Sequence, residues 1–286
     1  MTPLDNILRA AADYYNGTPT LTDPEYDAMV ESFAKKWPLL YEQWRASYIG
    51  PRPAHATPHP FRMLSLRGDN WDHFAEFGEW LARMPKKCSY LVQPKIDGHA
   101  IAVTYRAGRL VRVATRGDGA QGKDITGLVL KSRALPAVIP HREEIHLTGE
   151  LYIPLDSWNS VDFSHPRNEL CSVMNGSTSP RKSKIAAVIH GVHSWNANKF
   201  AHTEAEIFAA LAPGPLPLVP HFELEPRLLV QGFGSTLRAY QDHFRKGNSP
   251  IDGIVVKVNQ LDARRKVGES AVAPLWAYAL KEYQTY

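Results

Sequence analysis

Between residues 89 and 281 the chain carries seven short runs of strand-forming residues, and most stretches between them are too short for a helix that could cover a parallel sheet. The runs are SYLVQP (89–94), HAIAVTYR (99–106), RLVRVAT (109–115), EIHLTGELYI (144–153), KIAAVIHGVHSW (184–195), DGIVVKV (252–258) and LWAYALK (275–281). They are rich in β-branched and aromatic residues. Ala107-Gly108, between the second and third, has the length and composition of a hairpin turn. The expected fold class is therefore α+β with antiparallel sheet, not a doubly wound parallel one.

The first 48 residues read differently. Leu4, Ile7, Leu8, Ala11 and Ala12 recur at helical spacing, and Asn16-Gly17-Thr18-Pro19 marks a turn. A second helix is expected near Thr22-Asp23-Pro24-Glu25, with a capping oxygen, a proline suited to the first turn and an acid at the positive end of the dipole. It runs through Lys36 towards Pro38. Residues 51–60, PRPAHATPHP, are too proline-rich for a regular element and read as a linker, with His55 and His59 solvated rather than metal-binding. Asp69-Asn70 is expected to cap a helix running to about Met84, with Trp71, Phe74, Phe77 and Leu81 on one face. The segment APGPLPLVP (212–220) is a proline-rich connection.

Composition excludes several classes. The chain of 286 residues is 44% hydrophobic and 22% charged, which rules out collagen-like and disordered chains. No apolar run is long enough for a membrane helix, and no basic region followed by an apolar run marks a secretory leader. Cys88 and Cys171 are the only cysteines and form no C-x-x-C pair, so a disulfide framework and a four-cysteine zinc site are excluded. A reducing, cytoplasmic setting is expected, with no membrane partner and a monomeric state. The net charge of +4 permits a polyanionic partner without requiring one.

The segment most informative about chemistry is Lys95-Ile96-Asp97-Gly98, at a strand edge beside a tight turn. Alone, K-x-D-G is weak, but six further segments accompany it in order. His59 to Leu66 reads HPFRMLSL. Thr115-Arg116-Gly117-Asp118-Gly119 is followed by Gly122-Lys123-Asp124-Ile125-Thr126. Thr148-Gly149-Glu150, His165-Pro166-Arg167-Asn168, Ile251–Lys257 (IDGIVVK) and Ala273–Lys281 (APLWAYALK) complete the series. Together they resemble the NAD-dependent DNA ligases, and more broadly the covalent nucleotidyltransferases. The family wordings are H-x-x-P-M-L-S-L, T-R-G-D-G…G-E-D-V-T, R-G-E, N-P-R-N, I-D-G-V-V-x-K and A-P-R-W-A-x-A-x-K.

The resemblance implies a helical module that binds nicotinamide mononucleotide (NMN) over residues 1–50, the linker over 51–60, and a nucleotidyltransferase (adenylation) domain over 61–286. It implies an enzyme that uses NAD as its AMP donor, with magnesium or manganese held through phosphates and water. Lys95 becomes the nucleophile that holds AMP as a phosphoramidate. A free lysine is protonated at neutral pH, so its surroundings must disfavour the charged form. Lys257 and Lys281 would meet the α-phosphate oxygens as charge builds there. Asp97 and Glu150 could hold the ribose or a metal-bound water. Ser65, Leu66, Gln93, Ile96 and Arg116 join Glu150 and the two late lysines as NAD-binding positions, and Arg167 is assigned to nucleic acid. Asp13-Tyr14-Tyr15, Pro19, Asp23, Tyr26 and Asp27 are similar to the segment that grips the NMN half of NAD, where tyrosine faces and carboxylates suit a cationic ring. Of these, Tyr14, Asp23, Tyr26 and Asp27 are the expected contacts. His190 and His193, as H-x-x-H on a strand, are expected to face opposite sides and to be core or surface residues, not ligands.

The sequence departs from the family in places. Gln93 stands where glutamate is usual, Thr148 replaces the arginine of R-G-E, and E-L-C-S-V-M-N-G follows Arg167-Asn168 in place of A-A-G-S-L-R-Q. Only five residues follow Lys281, so the OB, zinc, helix-hairpin-helix and BRCT domains of the family are expected to be missing. The expectation is a minimal NAD-dependent polynucleotide ligase that joins 5′-phosphate and 3′-hydroxyl ends, RNA ends favoured over nicked DNA, of a size that suits a phage or plasmid gene. An adenylation fragment of a longer DNA ligase and a non-catalytic NAD or nucleic-acid binding module are the alternatives.

Overall fold

The computed structural model describes residues 2–15, 20–21, 23–47, 56–71, 74–176, 184–195, 201–225 and 233–282. The N-terminal part is helical, with α1 (Pro3–Tyr15), α2 (Asp23–Lys36) and α3 (Pro38–Ser47). Helix α1 starts where Thr2 and Asp5 exchange backbone-to-side-chain hydrogen bonds of 2.6 and 3.2 Å, a reciprocal cap with proline at the first helical position. Ile7, Ala10 and Ala11 are its buried face. Phe33 packs against Trp37, Tyr41 and Trp44, which places the aromatic face of α2 on α3.

All seven expected strands form, in two sheets. The first sheet has the order β2-β11-β10-β3-β9, from β2 (Gly68–Asn70), β3 (Tyr90–Ile96), β9 (Phe222–Leu224), β10 (Ile251–Val258) and β11 (Ala277–Lys281). The second has the order β5-β4-β7-β8, from β4 (His99–Arg106), β5 (Arg109–Thr115), β7 (Ile145–Tyr152) and β8 (Ala186–Ser194). Every pairing is antiparallel except β11 with β2. Ala107 and Gly108 both have positive φ (50° and 77°), the geometry a two-residue hairpin of the right twist requires.

Two expectations need correction. Residues 56–58 of the supposed linker form β1 (Ala56–Pro58), paired antiparallel with β6 (Gln121–Lys123). Pro58 is tolerated because it ends this three-residue edge strand. Residues 51–55 lie outside the described residues. Asp69-Asn70 does not cap a helix. It ends strand β2, where Asp69 accepts a 2.6 Å hydrogen bond from the Tyr278 hydroxyl, and the helix α4 starts later (Phe74–Ala82).

Alternation along each strand sorts side chains between core and cavity. On β10, Ile254, Val256 and Val258 enter a core with Phe77, Trp80, Leu237, Phe244 and Tyr278, so α4 and α8 (Phe233–Arg245) cover the outer face of the first sheet. On β7 and β4, Ile145, Leu147, Leu151, Ile101, Val103 and Tyr105 enter a second core with Val129, Leu170 and Ile207. These come from α5 (Thr126–Ser132), α6 (Pro166–Met174) and α7 (Glu204–Leu211). The opposite faces carry Gln93, Lys95, Val255 and Lys257 from the first sheet and Thr148 and Glu150 from the second. These residues line one cavity of about 1120 Å³.

Candidate active site

Lys95 lies at the end of β3, where K-I-D-G turns into β4. Its ammonium donates to both oxygens of Asp252, at 2.8 and 2.6 Å. The turn is tight because Gly98 lies on β7: a Cβ there would sit 2.2 Å from the Leu151 carbonyl oxygen. Asp252 stands at the start of β10, beside a break in register between Ile251 and Ile254. Gly253 occupies that break with φ of 143°, a conformation that glycine tolerates.

Asp97 is on the same turn. One of its oxygens lies 3.2 Å from His165 Nε2 and the other 4.0 Å from an Arg167 nitrogen. His165 caps α6, its Nδ1 accepting from the Arg167 backbone N–H at 3.2 Å. H-P-R-N is thus a helix start aimed at the K-I-D-G turn. Burial raises the Asp97 carboxyl above its ordinary value; Arg167 opposes this, and the Asp252 charge adds to it.

Lys257 lies deeper, 6% exposed. Its ammonium donates to the His190 carbonyl oxygen at 2.6 Å and lies 3.6 Å from Glu204. Burial lowers it to about 8, despite the Glu204 charge. Glu204 also accepts from Arg264 at 2.7 Å, and the Arg264 guanidinium lies over the Trp276 ring at 4.2 Å. Burial alone would raise Glu204, but the Arg264 and Lys257 charges outweigh it and hold the carboxyl at about 2. Glu150 lies 3.8 Å from His190 Nε2.

Every residue singled out in the nucleotidyltransferase segments lines this cavity: Ser65, Leu66, Gln93, Lys95, Ile96, Asp97, Arg116, Glu150, Arg167, Lys257 and Lys281. Gln93 is 1% exposed, and its Nε2 has no hydrogen-bond partner, so a buried donor awaits an acceptor. Of the N-terminal positions, the one whose side chain is described is not brought to it. Tyr26 is half-buried on α2 and is not among the lining residues, while the side chains of Tyr14, Asp23 and Asp27 lie outside the described residues.

The histidine pair is a correction. His190 and His193 both line the cavity. Strand β8 breaks register against β7 between Gly191 and Ile189 and again between Ser194 and Val192, so each histidine is the extra residue of a bulge. Two bulges cancel the alternation that would have put them on opposite faces. His193 stacks on Phe61, centroids 3.7 Å apart and planes 8° from parallel. His59, expected to be solvated, is instead half-buried, its Nε2 3.0 Å from the Arg116 carbonyl oxygen.

Sequence reasoning passed over Asp252, His165, Glu204 and Arg264. The first two sit inside quoted segments, where an acid beside glycine and a histidine before proline were available signals. Glu204 and Arg264 carry none, since only the docking of α7 brings them together. Among the described residues no three His, Cys, Asp or Glu side chains gather as a metal-holding group. The described residues therefore do not by themselves build a magnesium or manganese site. Among the described residues no helix is long and apolar enough to cross a membrane.

A cleft between two antiparallel sheets, with a lysine held by a carboxylate and a buried cation deeper in, suits a phosphorylated ligand such as a nucleotide. The family model for the NAD-dependent DNA ligase adenylation domain matches residues 54–285, and the chain belongs to that family. Similar curated proteins include a DNA ligase of Corynebacterium aurimucosum, 28% identical over 94% of this chain and 42% of that protein. DNA ligase 1 of Pseudarthrobacter chlorophenolicus is 29% identical over 94% of this chain and 39% of that protein. The chain thus spans about two-fifths of the length of these relatives. Among solved structures, a mycobacterial DNA ligase D complexed with ATP and MES aligns at a TM-score of 0.43 and 13% identity, over 68% of this chain and 55% of that one. An archaeal ATP-dependent RNA ligase aligns at 0.40 and 15%, over 71% and 44%.

Proposed function

We propose that this chain takes AMP from NAD onto Lys95, releases NMN, passes the AMP to a 5′-phosphate and directs the joining of that end to a 3′-hydroxyl. Membership of the family supports NAD as donor. The observation that carries the reading is the placement of Lys95, paired with Asp252, on one cavity with Lys257 and Lys281. The Lys95 Nζ lone pair forms a bond to the α-phosphorus as the bond to the bridging oxygen breaks. NMN leaves with that electron pair; of the two protons the Lys95 ammonium sheds in becoming a phosphoramidate N–H, the first passes to Asp252 before attack, which frees the lone pair, and the second to solvent. Lys257, Lys281 and Arg116 offset the charge on the non-bridging oxygens. An oxygen of the 5′-phosphate then attacks the same phosphorus, the N–P bond breaks, and its electron pair returns to Lys95. Finally the 3′-oxygen displaces AMP from the 5′-phosphorus.

Asp97 and Glu150 are proposed to hold the ribose, Ser65, Leu66, Gln93 and Ile96 to enclose the base, and Arg167 to meet the polynucleotide. Residues 1–50, with Tyr14, Asp23, Tyr26 and Asp27, are proposed as the NMN-binding module. The relatives are named DNA ligases, which favours a nicked duplex; the replacement of the run after Arg167-Asn168, next to the polynucleotide position, keeps RNA ends as a second acceptor. The test is incubation with magnesium and with NAD or ATP labelled in the AMP moiety, beside Lys95→Ala, with nicked DNA and 5′-phosphorylated RNA offered in parallel. Acid-stable label on Lys95 is not expected, because phosphoramidates hydrolyse in acid; label lost in acid and absent from the variant is the expected result. Label from ATP alone would overturn the donor, and no label from either would leave a binding module.

A further inference from the structure

Glu204 has no place in the reaction as written, yet it is among the most deeply buried charges of the cavity wall, 3% exposed. It opens α7, whose N-terminus is fixed from outside the helix. The Glu204 backbone N–H donates to the Asn259 carbonyl at 3.0 Å and the Ala205 N–H to the Asn259 side chain at 3.1 Å. Asn259 is fully buried and follows β10 directly, so α7 is fastened to the strand that carries Lys257. A capping box of Thr203 and Glu206 sets the rotation of the first turn. The carboxylate is thereby delivered to Lys257 at 3.6 Å and to Arg264 at 2.7 Å.

Lys257 needs such a partner. Its cross-strand neighbours, Leu91 and Ala277, carry no charge. The other ionisable groups facing it are Arg264 on α9 (Leu261–Val267) and His190 and His193 on β8, and these can only repel an ammonium or leave it alone. Among the described residues, the His190 carbonyl and Glu204 hold it.

We propose that Glu204 is a positioning residue for the reaction at this site: its contacts with Lys257 and Arg264 keep the Lys257 ammonium charged and fixed where the α-phosphate arrives. This rests on the reading of Lys257 as a phosphate-binding group. A buried lysine stripped of its counter-ion gives up its proton more readily, and a neutral amine offers nothing to a phosphate. Glu204 therefore sets the upper pH limit of the first step.

The experiment measures the second-order rate of labelling from sub-saturating NAD between pH 6 and 9.5 (a span of about 3.5 units around neutrality), for wild type, Glu204→Gln and Glu204→Asp. The alkaline limb of Glu204→Gln should move down by about one pH unit, an approximately tenfold loss at high pH. At the acid end, where Lys257 is charged regardless, the two rates should converge. Glu204→Asp keeps the charge at a shorter reach and should fall between. A uniform loss at all pH values with the limb unmoved would make Glu204 merely structural and overturn the proposal. So would failure of both variants to fold, judged by thermal unfolding. If wild type takes no label from NAD, the functional reading falls and this inference with it; label on wild type with an unmoved limb removes only the role of Glu204.

Discussion

At the scale of single residues, Asp252 decides what Lys95 can do. Two short hydrogen bonds fix the ammonium and place beside it an acceptor for the proton that the proposed attack by Lys95 would require it to lose. Asp252→Asn keeps the shape and removes the acceptor. Labelling from NAD in a single turnover should slow by about 10²–10⁴-fold, while stability changes by less than about 1 kcal/mol because the pair is partly exposed. Near-wild-type labelling would show that the proton leaves by another route. Asp97 makes the opposite point about stability. Its carboxyl is raised by burial, so between its ordinary value and the raised one the folded chain holds a proton that the unfolded chain has lost. Stability therefore falls as pH rises through that window and stays lowered at neutral pH. Asp97→Asn should raise Tm at neutral pH, lose the gain below the ordinary value of 3.8, and lose labelling throughout. A lower Tm at neutral pH would mean that the contacts with His165 and Arg167 outweigh the burial.

At the scale of elements, the long strands were legible because period-two alternation and β-branched residues coincide with real burial: Ile254, Val256 and Val258 are core, and Val255 and Lys257 face the cavity. The three-residue strands were not, since β1, β2, β6 and β9 are too short to show a period and exist only because longer strands pair with them. Helices α5 to α9 were passed over between the strand runs, although Thr203 with Glu206 carried a capping signal. The bulges at His190 and His193 were invisible because nothing local marks an extra residue; the partner strand imposes it. The glycines of the two key turns show how narrowly register is held. A Cβ on Gly253 would lie 2.0 Å from the Leu280 carbonyl oxygen, at a φ of 143°. Gly253→Ala should cost about 3 kcal/mol or more, read as a lower urea midpoint at unchanged m. A loss under about 1 kcal/mol would mean that β10 and β11 can slip apart cheaply.

At the scale of the whole molecule, the two sheets bury their outer faces in separate cores and meet across the cavity, where the Lys257–His190 carbonyl bond and the packing of Ile96 near Val188 and Val192 already join them. The charges that would hold a nucleotide are divided between them, Lys95, Lys257 and Lys281 on one sheet and Glu150 on the other. Beside those charges, folding leaves the buried Gln93 amide nitrogen without a hydrogen-bond partner. A ligand that contacts both walls adds to the connections already present between the sheets, and by mass action it stabilises by about 2.7 kcal/mol at a concentration one hundred times its Kd. The expected distribution of that gain is specific. On adding AMP, amide exchange should slow on β3 and β10 of the first sheet and on β7 and β8 of the second, because opening either sheet now breaks contacts to the other. Protection confined to one sheet would place the ligand on a single wall. That outcome would leave Glu150 without a ribose to hold and detach the cavity from the chemistry assigned to it.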